Sequence, residues 1–452
     1  MDRHGEGSEA RASSIRRVGL AGFVGTTMEW YDYFLYGAAT ALIFNELYFP
    51  NVDPLIGTLA AFSTFAVGFI ARPVGGIIFG HFGDKIGRRT NLIITLAIMG
   101  IATAAIGLVP TFETIGIWAP ILLVVLRILQ GFAVGGEWGG AVLMTVEHSP
   151  DHRRGFYASW VQMGVPAGIV LANGVYLLFQ TSLPEEAFLA WGWRVPFLLS
   201  IVLVGVGLYI RLRIEESPAF SEVREHHTES QMPVIEVVRN QPKNVLMAMG
   251  GRLGDNVIFY IFEVFTLTYI TSQLGLPESL ALIGVLIGAS IELFTIPLFG
   301  ALSDRIGRRP VFMGGLIFCV LYAFPFFWLL NTGQAFLIVL SLVVALAIGH
   351  SAMYAPESSF FAELFDTRTR YSGASIAYQL APIVGGGIAP AICTALLAWS
   401  GSYWPIALYM IAMGLIGVVS LYFAPETYKR DIRGEARSGQ ATAAAEPAGG
   451  MG

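Results

Sequence analysis

The sequence predicts an all-α membrane protein, with twelve transmembrane helices in two pseudo-symmetric six-helix bundles. Three observations predict it. Of 452 residues, 55% are hydrophobic and only 13% charged, with a mean hydropathy of +0.64; a soluble chain is about 25% charged. The chain offers about twelve apolar runs near the length of roughly 20 residues that a helix needs to cross a bilayer. Finally, Gly80-His81-Phe82-Gly83-Asp84-Lys85-Ile86-Gly87-Arg88-Arg89 returns 220 positions later as Gly300-Ala301-Leu302-Ser303-Asp304-Arg305-Ile306-Gly307-Arg308-Arg309, with seven of ten positions identical or exchanging Lys for Arg. Such an echo between equivalent apolar hairpins marks two similar halves, as in transporters built from internal repeats.

In order, residues 1–17 are polar and expected to form a disordered tail, with Arg16 and Arg17 just before the first helix. The N-terminal bundle, 18–212, is read as helices 18–43, 57–80, 91–109, 118–147, 156–180 and 193–212. A polar linker spans 213–244. The C-terminal bundle, 245–423, is read as helices 245–271, 280–302, 311–330, 334–360, 372–397 and 403–423. The tail, 424–452, is rich in Ala and Gly and expected to be disordered. The first apolar run is too long for a signal peptide and shows no cleavage site, so it is expected to remain as the first membrane helix. Cys319 and Cys393 lie inside apolar runs and are expected as free thiols.

Basic residues set the orientation. Of 27 Lys and Arg, 23 fall in the termini or in loops after even-numbered helices, and none in a loop after an odd-numbered one. Both termini and the linker are therefore expected in the cytoplasm. The other four are Arg72, Arg127, Arg194 and Arg252. Arg194 sits at the outer mouth of its helix, where it can snorkel.

The remaining three lie within the membrane, where a charge costs roughly 2.5–3.5 kcal/mol on insertion scales and so calls for a partner and a purpose. Glu29 and Asp32 share one face of the first helix at i,i+3 spacing, about 16–21 Å from its cytoplasmic end. Arg72 lies about 15 Å from that same side on the second helix, and Glu137 about 16 Å in on the fourth. Arg127 is about 14 Å from the fourth helix's outer end. Two arginines and three carboxylates thus gather near mid-depth, where a repeat-built transporter holds substrate and coupling ion; the same set also reads as ion pairs holding helices together. On the fourth helix, Gly131, Gly135 and Gly139, with Gly136 and Gly140, form small-xxx-small patterns that permit close helix approach.

The C-terminal half carries Arg252, Asp255, Glu263, Glu292, His350, Glu357, Tyr378 and Gln379. At the 220-residue offset Glu292 matches Arg72 and Glu357 matches Glu137, so the halves differ in charge within a shared frame. Arg252 and Asp255, at i,i+3, either pair together or serve the site. A lone His350 reads first as a hydrogen-bonded packing residue, then as a proton relay. Tyr378 and Gln379 either face a cavity or satisfy neighbouring helices. Gly385-Gly386-Gly387 marks a flexible or closely packed point.

The net charge of -5 carries no nucleic-acid signal. With no Gly-x4-Gly-Lys-[Ser/Thr] loop, direct ATP drive is not expected, and no His or Cys cluster has metal spacing. No enzyme chemistry, cofactor or obligate protein partner is expected; the bilayer is the surrounding.

The paired loops fit Gly-x3-Asp-[Arg/Lys]-x-Gly-x-[Arg/Lys], which resembles the loop signature of the major facilitator superfamily. Other segments are similar to its metabolite:proton symporter family: Glu29-Trp30-Tyr31-Asp32-Tyr33, Gly135-Gly136-Glu137-Trp138-Gly139-Gly140, Trp191-Gly192-Trp193-Arg194-Val195-Pro196-Phe197, Glu216-Ser217-Pro218-Ala219-Phe220 and Arg370-Tyr371-Ser372-Gly373-Ala374-Ser375. The resemblance covers nearly the whole chain apart from its tails. It implies the major facilitator fold and inner-membrane symport with protons as coupling ion, in a family that includes carriers of shikimate, α-ketoglutarate, aromatic acids, and proline or glycine betaine. Arg127-x-x-Gln130-Gly131 resembles the fourth-helix motif of proton-coupled facilitators, in which the Arg is implicated in proton transfer. Osmosensory betaine carriers often bear a C-terminal coiled coil; this tail has no heptads.

The expected function is import of a small organic acid by proton symport. Substrate and proton candidates are Glu29, Asp32, Arg72, Arg127, Glu137, Arg252, Asp255 and Glu292. The gating loops are Gly80, Asp84, Gly87, Arg88 and Arg89, and Gly300, Asp304, Gly307, Arg308 and Arg309, with both aspartates expected to meet cations or helix N-termini. Uptake of a zwitterionic osmolyte is the alternative, and a membrane sensor that binds a metabolite without moving it is another.

Overall fold

A computed structural model describes residues 3–86, 88–135, 137–212, 233–365 and 370–430. Among them no strand occurs, and twelve long helical segments follow one another. They are α1 (Arg3–Leu42), α2 (Pro54–Ile86), α3 (Arg88–Leu108), α4 (Trp118–His148), α5 (Asp151–Ser182) and α6 (Arg194–Leu212) in the first half. In the second half they are α7 (Pro242–Gln273), α8 (Glu278–Ile306), α9 (Arg308–Asn331), α10 (Ala335–Leu364), α11 (Gly373–Ser400) and α12 (Trp404–Tyr422). Nine of the described helices are long and apolar enough to cross a membrane by themselves. Of the others, α3 offers the shorter apolar stretch Ile93–Leu108, and α6 continues, at a 44° bend, the segment Glu185–Gly192. The third, α1, carries Glu29-Trp30-Tyr31-Asp32-Tyr33 in the middle of its apolar run, which lowers its hydropathy.

Those first turns differ from the expectation of a disordered tail: the helix begins at Arg3. Ala, Glu and Arg between residues 6 and 12 are strong helix formers, and a turn added to an existing helix costs no nucleation.

Burial sorts the helices. In α7, 94% of the apolar window is buried within the protein, against 39% in α8, α9 and α12; α7 lies at the centre, and the others present Phe294, Leu321 and Ile416 outward. Hydrocarbon around such faces is a better solvent for them than water.

Close approach of α2 to α4 rests on glycine. A Cβ at Gly131 would sit 1.8 Å from the Gly68 carbonyl oxygen, and one at Gly135 2.0 Å from that of Arg72. Gly140 departs from the expected packing stripe, for a Cβ there meets nothing within 4 Å. The helical ladder of α4 breaks between Val134 and Trp138, so residues beyond the break leave the stripe's face. Gly385, Gly386 and Gly387 lie in a widened turn of α11, where a Cβ would come within 2.7–3.0 Å of Asn256, Tyr260 and Ala66. Close packing, within the half and onto α2 of the other half, accounts for them.

The repeated loop is shorter than expected. α8 runs on to Ile306 and turns into α9 at Gly307, whose φ of +109° suits only glycine. In the first copy, Gly87 and the side chains of residues 80–92 lie outside the described residues, so the structure does not address the expectations for Gly80, Asp84, Gly87, Arg88 and Arg89.

Candidate functional site at the interface of the two halves

In the first half, the ring of Tyr33 lies between two guanidiniums, Arg72 at 4.1 Å and Arg127 at 4.4 Å from its centroid. Arg72 Nε donates to Tyr33 Oη at 3.3 Å, and its Cζ stands 4.7 Å from the Phe69 ring. Arg127 Nη1 donates to Gln130 Oε1 at 2.8 Å, Gln130 in turn reaches Thr103, and Tyr36 covers the guanidinium at 4.0 Å. Aromatic faces attract cations but accept N–H only weakly. Arg72 Nη2 and Arg127 Nε and Nη2 are accordingly buried without a hydrogen-bond acceptor. Glu29 and Asp32 are buried in the same region, Glu29 within electrostatic reach of Arg72 and Tyr378, Asp32 of Arg127 and Thr103. Glu137 is buried at the break in α4. The five expected residues thus share one region, but the close partners of the arginines are aromatic rings and Gln130.

The second half is built of ion pairs. Arg252 Nη1 bonds both Asp255 Oδ2 at 2.8 Å and Glu357 Oε2 at 2.6 Å, so Arg252 and Asp255 do pair, and with a third member from α10. Glu292 Oε1 hydrogen-bonds His350 Nδ1. His350 Nε2 faces Asp255 Oδ1 at 3.7 Å, and Phe259 stacks on the imidazole at 4.2 Å. Tyr378 lies under Arg252 at 4.0 Å, meets Tyr354 Oη at 3.1 Å, and stacks on Trp138 of the first half at 3.6 Å. Gln379 Nε2 donates to the Gly135 carbonyl at 3.2 Å. Both residues therefore bridge the halves.

Between the halves is a closed cavity lined by Trp30 and Val165 on one side and by Arg252, Asp255, Asn256, Phe259, Tyr260, His350 and Tyr354 on the other. It leaves about 10 Å³ for a water centre, room for about one molecule. Its walls carry buried polar atoms with no hydrogen-bond partner: Trp30 Nε1, Tyr260 Oη, Arg252 Nε and Asp255 Oδ1. Unmet donors in a dry wall cost roughly 1–3 kcal/mol each, so the wall is suited to a polar guest. Among the described residues, no group of three His, Cys, Asp or Glu is placed to hold a metal ion.

On the face that carries the basic loops, the halves are clamped. Asp304 accepts the Gly155 N–H at 2.8 Å and the Phe156 N–H at 2.9 Å, at the start of the helix Arg154–Gln162 in α5. Arg308 Nη1 donates to Asp304 at 2.7 Å, and its other nitrogens reach Glu363 at 3.2 and 3.3 Å. Gly300 packs on the Gly155 carbonyl, a Cβ there sitting 2.8 Å away. Glu426 receives the Arg308 and Arg309 N–H groups at 2.9 and 3.1 Å and so caps α9. Thr427 bonds Glu363 at 2.8 Å, and Arg430 offers its carbonyl to Arg154 at 2.9 Å. On the opposite face, Gln180 hydrogen-bonds Glu278, and Asn173 Nδ2 donates to Glu263 Oε1 at 3.2 Å, both across the halves. The protein is therefore sealed on both sides.

Sequence reasoning did not find Arg154, Glu363, Glu426, Asn173 or Gln180. Arg154, Glu363, Glu426 and Gln180 stand in polar surroundings or near a helix end, where a polar group is ordinary; Asn173 lies inside an apolar run but is uncharged, so no cost of burying charge singled it out. Arg194, read as snorkelling, instead donates to the Gly107 and Val109 carbonyls at 3.0 and 2.7 Å, closing the end of α3.

The profile of the Major Facilitator Superfamily matches residues 22–385 and 294–448. The chain is 45% identical over 412 residues to the shikimate transporter of Escherichia coli K12, covering 90% of this chain and 94% of that one. It is 37% identical over 425 residues to the inner membrane metabolite transport protein YhjE of the same strain, covering 93% and 96%. To that strain's proline/betaine transporter it is 36% identical over 435 residues, covering 93% and 85%. Among solved structures it is similar to the proton:xylose symporter XylE bound to 6-bromo-6-deoxy-D-glucose, with a TM-score of 0.75 at 18% identity over 95% of this chain and 99% of that one. It is also similar to XylE from E. coli in a partially occluded inward-open conformation, at 0.72 and 19% over 93% and 100%.

Proposed function

From the premise that the chain belongs to the major facilitator superfamily, we propose that it imports a small organic acid with protons across the inner membrane, the substrate passing between the two halves by alternating access. The observation that carries this is the closed cavity between the halves, with its unmet donors Trp30 Nε1, Tyr260 Oη and Arg252 Nε. Arg72 stands behind two of those walls, 5.3 Å from the Trp30 ring and within electrostatic reach of Tyr260. A carboxylate arriving there can take up the Arg72 and Arg127 N–H groups that lack acceptors, forming the strong charge-assisted kind of bond. In this sealed form the cavity is too small for any organic acid, so the halves must part to load it. The basic face is the cytoplasmic one in this reading, and the Asp304 clamp is its gate.

The shikimate transporter among the relatives makes a hydroxylated ring acid the first substrate to test. A zwitterionic osmolyte is the second reading, favoured by the proline/betaine relative and by the aromatic walls. Against it, two of these rings already face guanidiniums: Trp30 that of Arg72 and Tyr354 that of Arg252. Purified protein in proteoliposomes is expected to accumulate labelled shikimate when the interior is alkaline, with little competition from glycine betaine. Shikimate entry that ignores the pH gradient overturns the coupling, and accumulation of betaine alone overturns the substrate class.

A further inference from the structure

Resting on that reading of symport, we propose that the proton is carried through the second half, by Glu263, Glu292, His350 and Asp255, and not by the carboxylates of the first half. These groups form a file. Along α7, Arg252 and Glu263 are eleven residues apart, about 16 Å along the axis, and Asp255 lies between them. Glu263 is at the end toward the face opposite the basic loops; Oε1 holds Asn173 of the other half, and Oε2 has no partner. Glu292, within electrostatic reach of Glu263, contacts His350 Nδ1 through Oε1, and its Oε2 is unpartnered. His350 Nε2 points at Asp255 Oδ1, also without a hydrogen bond, across 3.7 Å. Asp255 ends the file and is held by Arg252, which it shares with Glu357.

Charge counting requires a proton here. Arg252 is the one permanent cation that the described residues bring to this group, and two carboxylates already sit on its Nη1. Glu292 and Glu263 have no arginine or lysine beside them. Four buried carboxylates against one guanidinium cannot all be ionised in a low-dielectric interior. The first half is closer to balance, with Arg72 within electrostatic reach of Glu29 and Arg127 of Asp32.

The groups around the imidazole are Arg252, Asp255 and the Phe259 ring from α7, Glu292 from α8, and Tyr354 from α10. From α9, Cys319 approaches at Gly349, where a Cβ would sit 2.6 Å from its sulfur. The step moves one proton and no electrons. A protonated Glu292 carboxyl gives its proton to His350 Nδ1, the ring releases another from Nε2 to Asp255, and the imidazole returns to neutral as its other tautomer. The closed cavity touches both Asp255 and His350 and has room for a water centre, so one water closes the remaining gap. A substrate anion enters that same cavity, and closing the halves over it is tolerable only when the file also holds a proton.

The test uses Glu292→Gln and Glu263→Gln, neither of which lines the cavity, in proteoliposomes. It measures labelled shikimate counterflow, uphill uptake under a pH gradient, and substrate-driven proton entry by an internal pH dye, each normalised to folded protein. Counterflow is expected to stay within about twofold of wild type, while uphill uptake falls by at least about tenfold and proton entry ceases. Variants that keep proton entry, or the same pattern appearing instead in Glu29→Gln and Asp32→Asn, overturn the proposal. Should a variant fail to fold, carbodiimide labelling of wild type with peptide mapping decides: modification is expected at Glu292 or Glu263, and modification confined to the first half overturns the relay. That labelling needs no substrate. A wild type modified at Glu292 that moves no organic acid refutes the proposed function while the proton site stands.

Discussion

Asp304→Asn is expected to loosen the gate by an amount that can be worked out. The carboxylate accepts two backbone N–H groups from the other half, at 2.8 and 2.9 Å, at the start of a helix. Asparagine has the same size but one acceptor oxygen, and its NH₂ meets an N–H that it cannot accept. Losing one charge-assisted bond of about 1.5–3 kcal/mol, together with about 0.3–1 kcal/mol of helix-dipole attraction, weakens the closed form by about 2–4 kcal/mol. Arg308 stays in the same half as Asp304 and keeps Glu363 at 3.2 Å, so its pair does not discriminate between open and closed. The equilibrium should therefore shift toward opening of the basic face by roughly 30- to 900-fold. Ser159 is fully buried under this clamp and reports on it. With the buried Cys319 and Cys393 replaced by alanine, maleimide labelling of Ser159→Cys should accelerate by about that factor while the closed form predominates, and uptake should slow. Unchanged labelling in folded Asp304→Asn protein would refute the reasoning.

Two further outcomes are expected. A reporter active only outside the cytoplasm should be inactive when fused after Lys243 and active when inserted within Asn51–Pro54, because the Lys and Arg bias between loops is complete; the reverse pattern overturns the orientation. Gly131→Val and Gly135→Val should abolish folded protein on size-exclusion profiles, since even a Cβ would lie 1.8 and 2.0 Å from backbone oxygens of α2, whereas Gly140→Ala should leave the yield unchanged.

How far the sequence could be read followed from what makes a residue conspicuous. A charge inside an apolar run is costly and stands out, so Arg72, Arg127, Arg252, Glu29, Asp32, Asp255 and Glu292 were all legible as charges within the membrane, and all are buried. Their partners were not legible. Glu357 reaches Arg252 across 105 positions and Asp304 reaches Gly155 across 149; such pairings depend on how each helix is rotated and crossed, which no local pattern records. At i,i+3 the pairing of Arg252 with Asp255 was local and could be foreseen. Gly140 shows the opposite failure. The four-residue period continued in sequence past a break in the helix, and the face it defined did not. The N-terminal tail was misjudged because its composition was weighed alone, without the long helix onto which its residues propagate.

The divergence of the halves in charge, within a repeated frame, has a physical consequence. Arg72 and its 220-residue counterpart Glu292 occupy equivalent places in α2 and α8. The first half therefore brings two arginines with N–H groups that lack acceptors, and the second brings four buried carboxylates to one arginine. An anion satisfies only the first and a proton only the second. With one of them present, the sealed state buries an uncompensated charge, a cost that grows as water leaves the cavity. With both present their charges cancel, and the seal closes without adding net charge to the interior. Two symmetric halves carrying arginine at both places would bind anions on each side and lose this dependence. Coupling thus requires the repeat to be broken at this pair of positions while it is kept in the loops, where Asp304 and Arg308 serve the mechanical task of closing the gate.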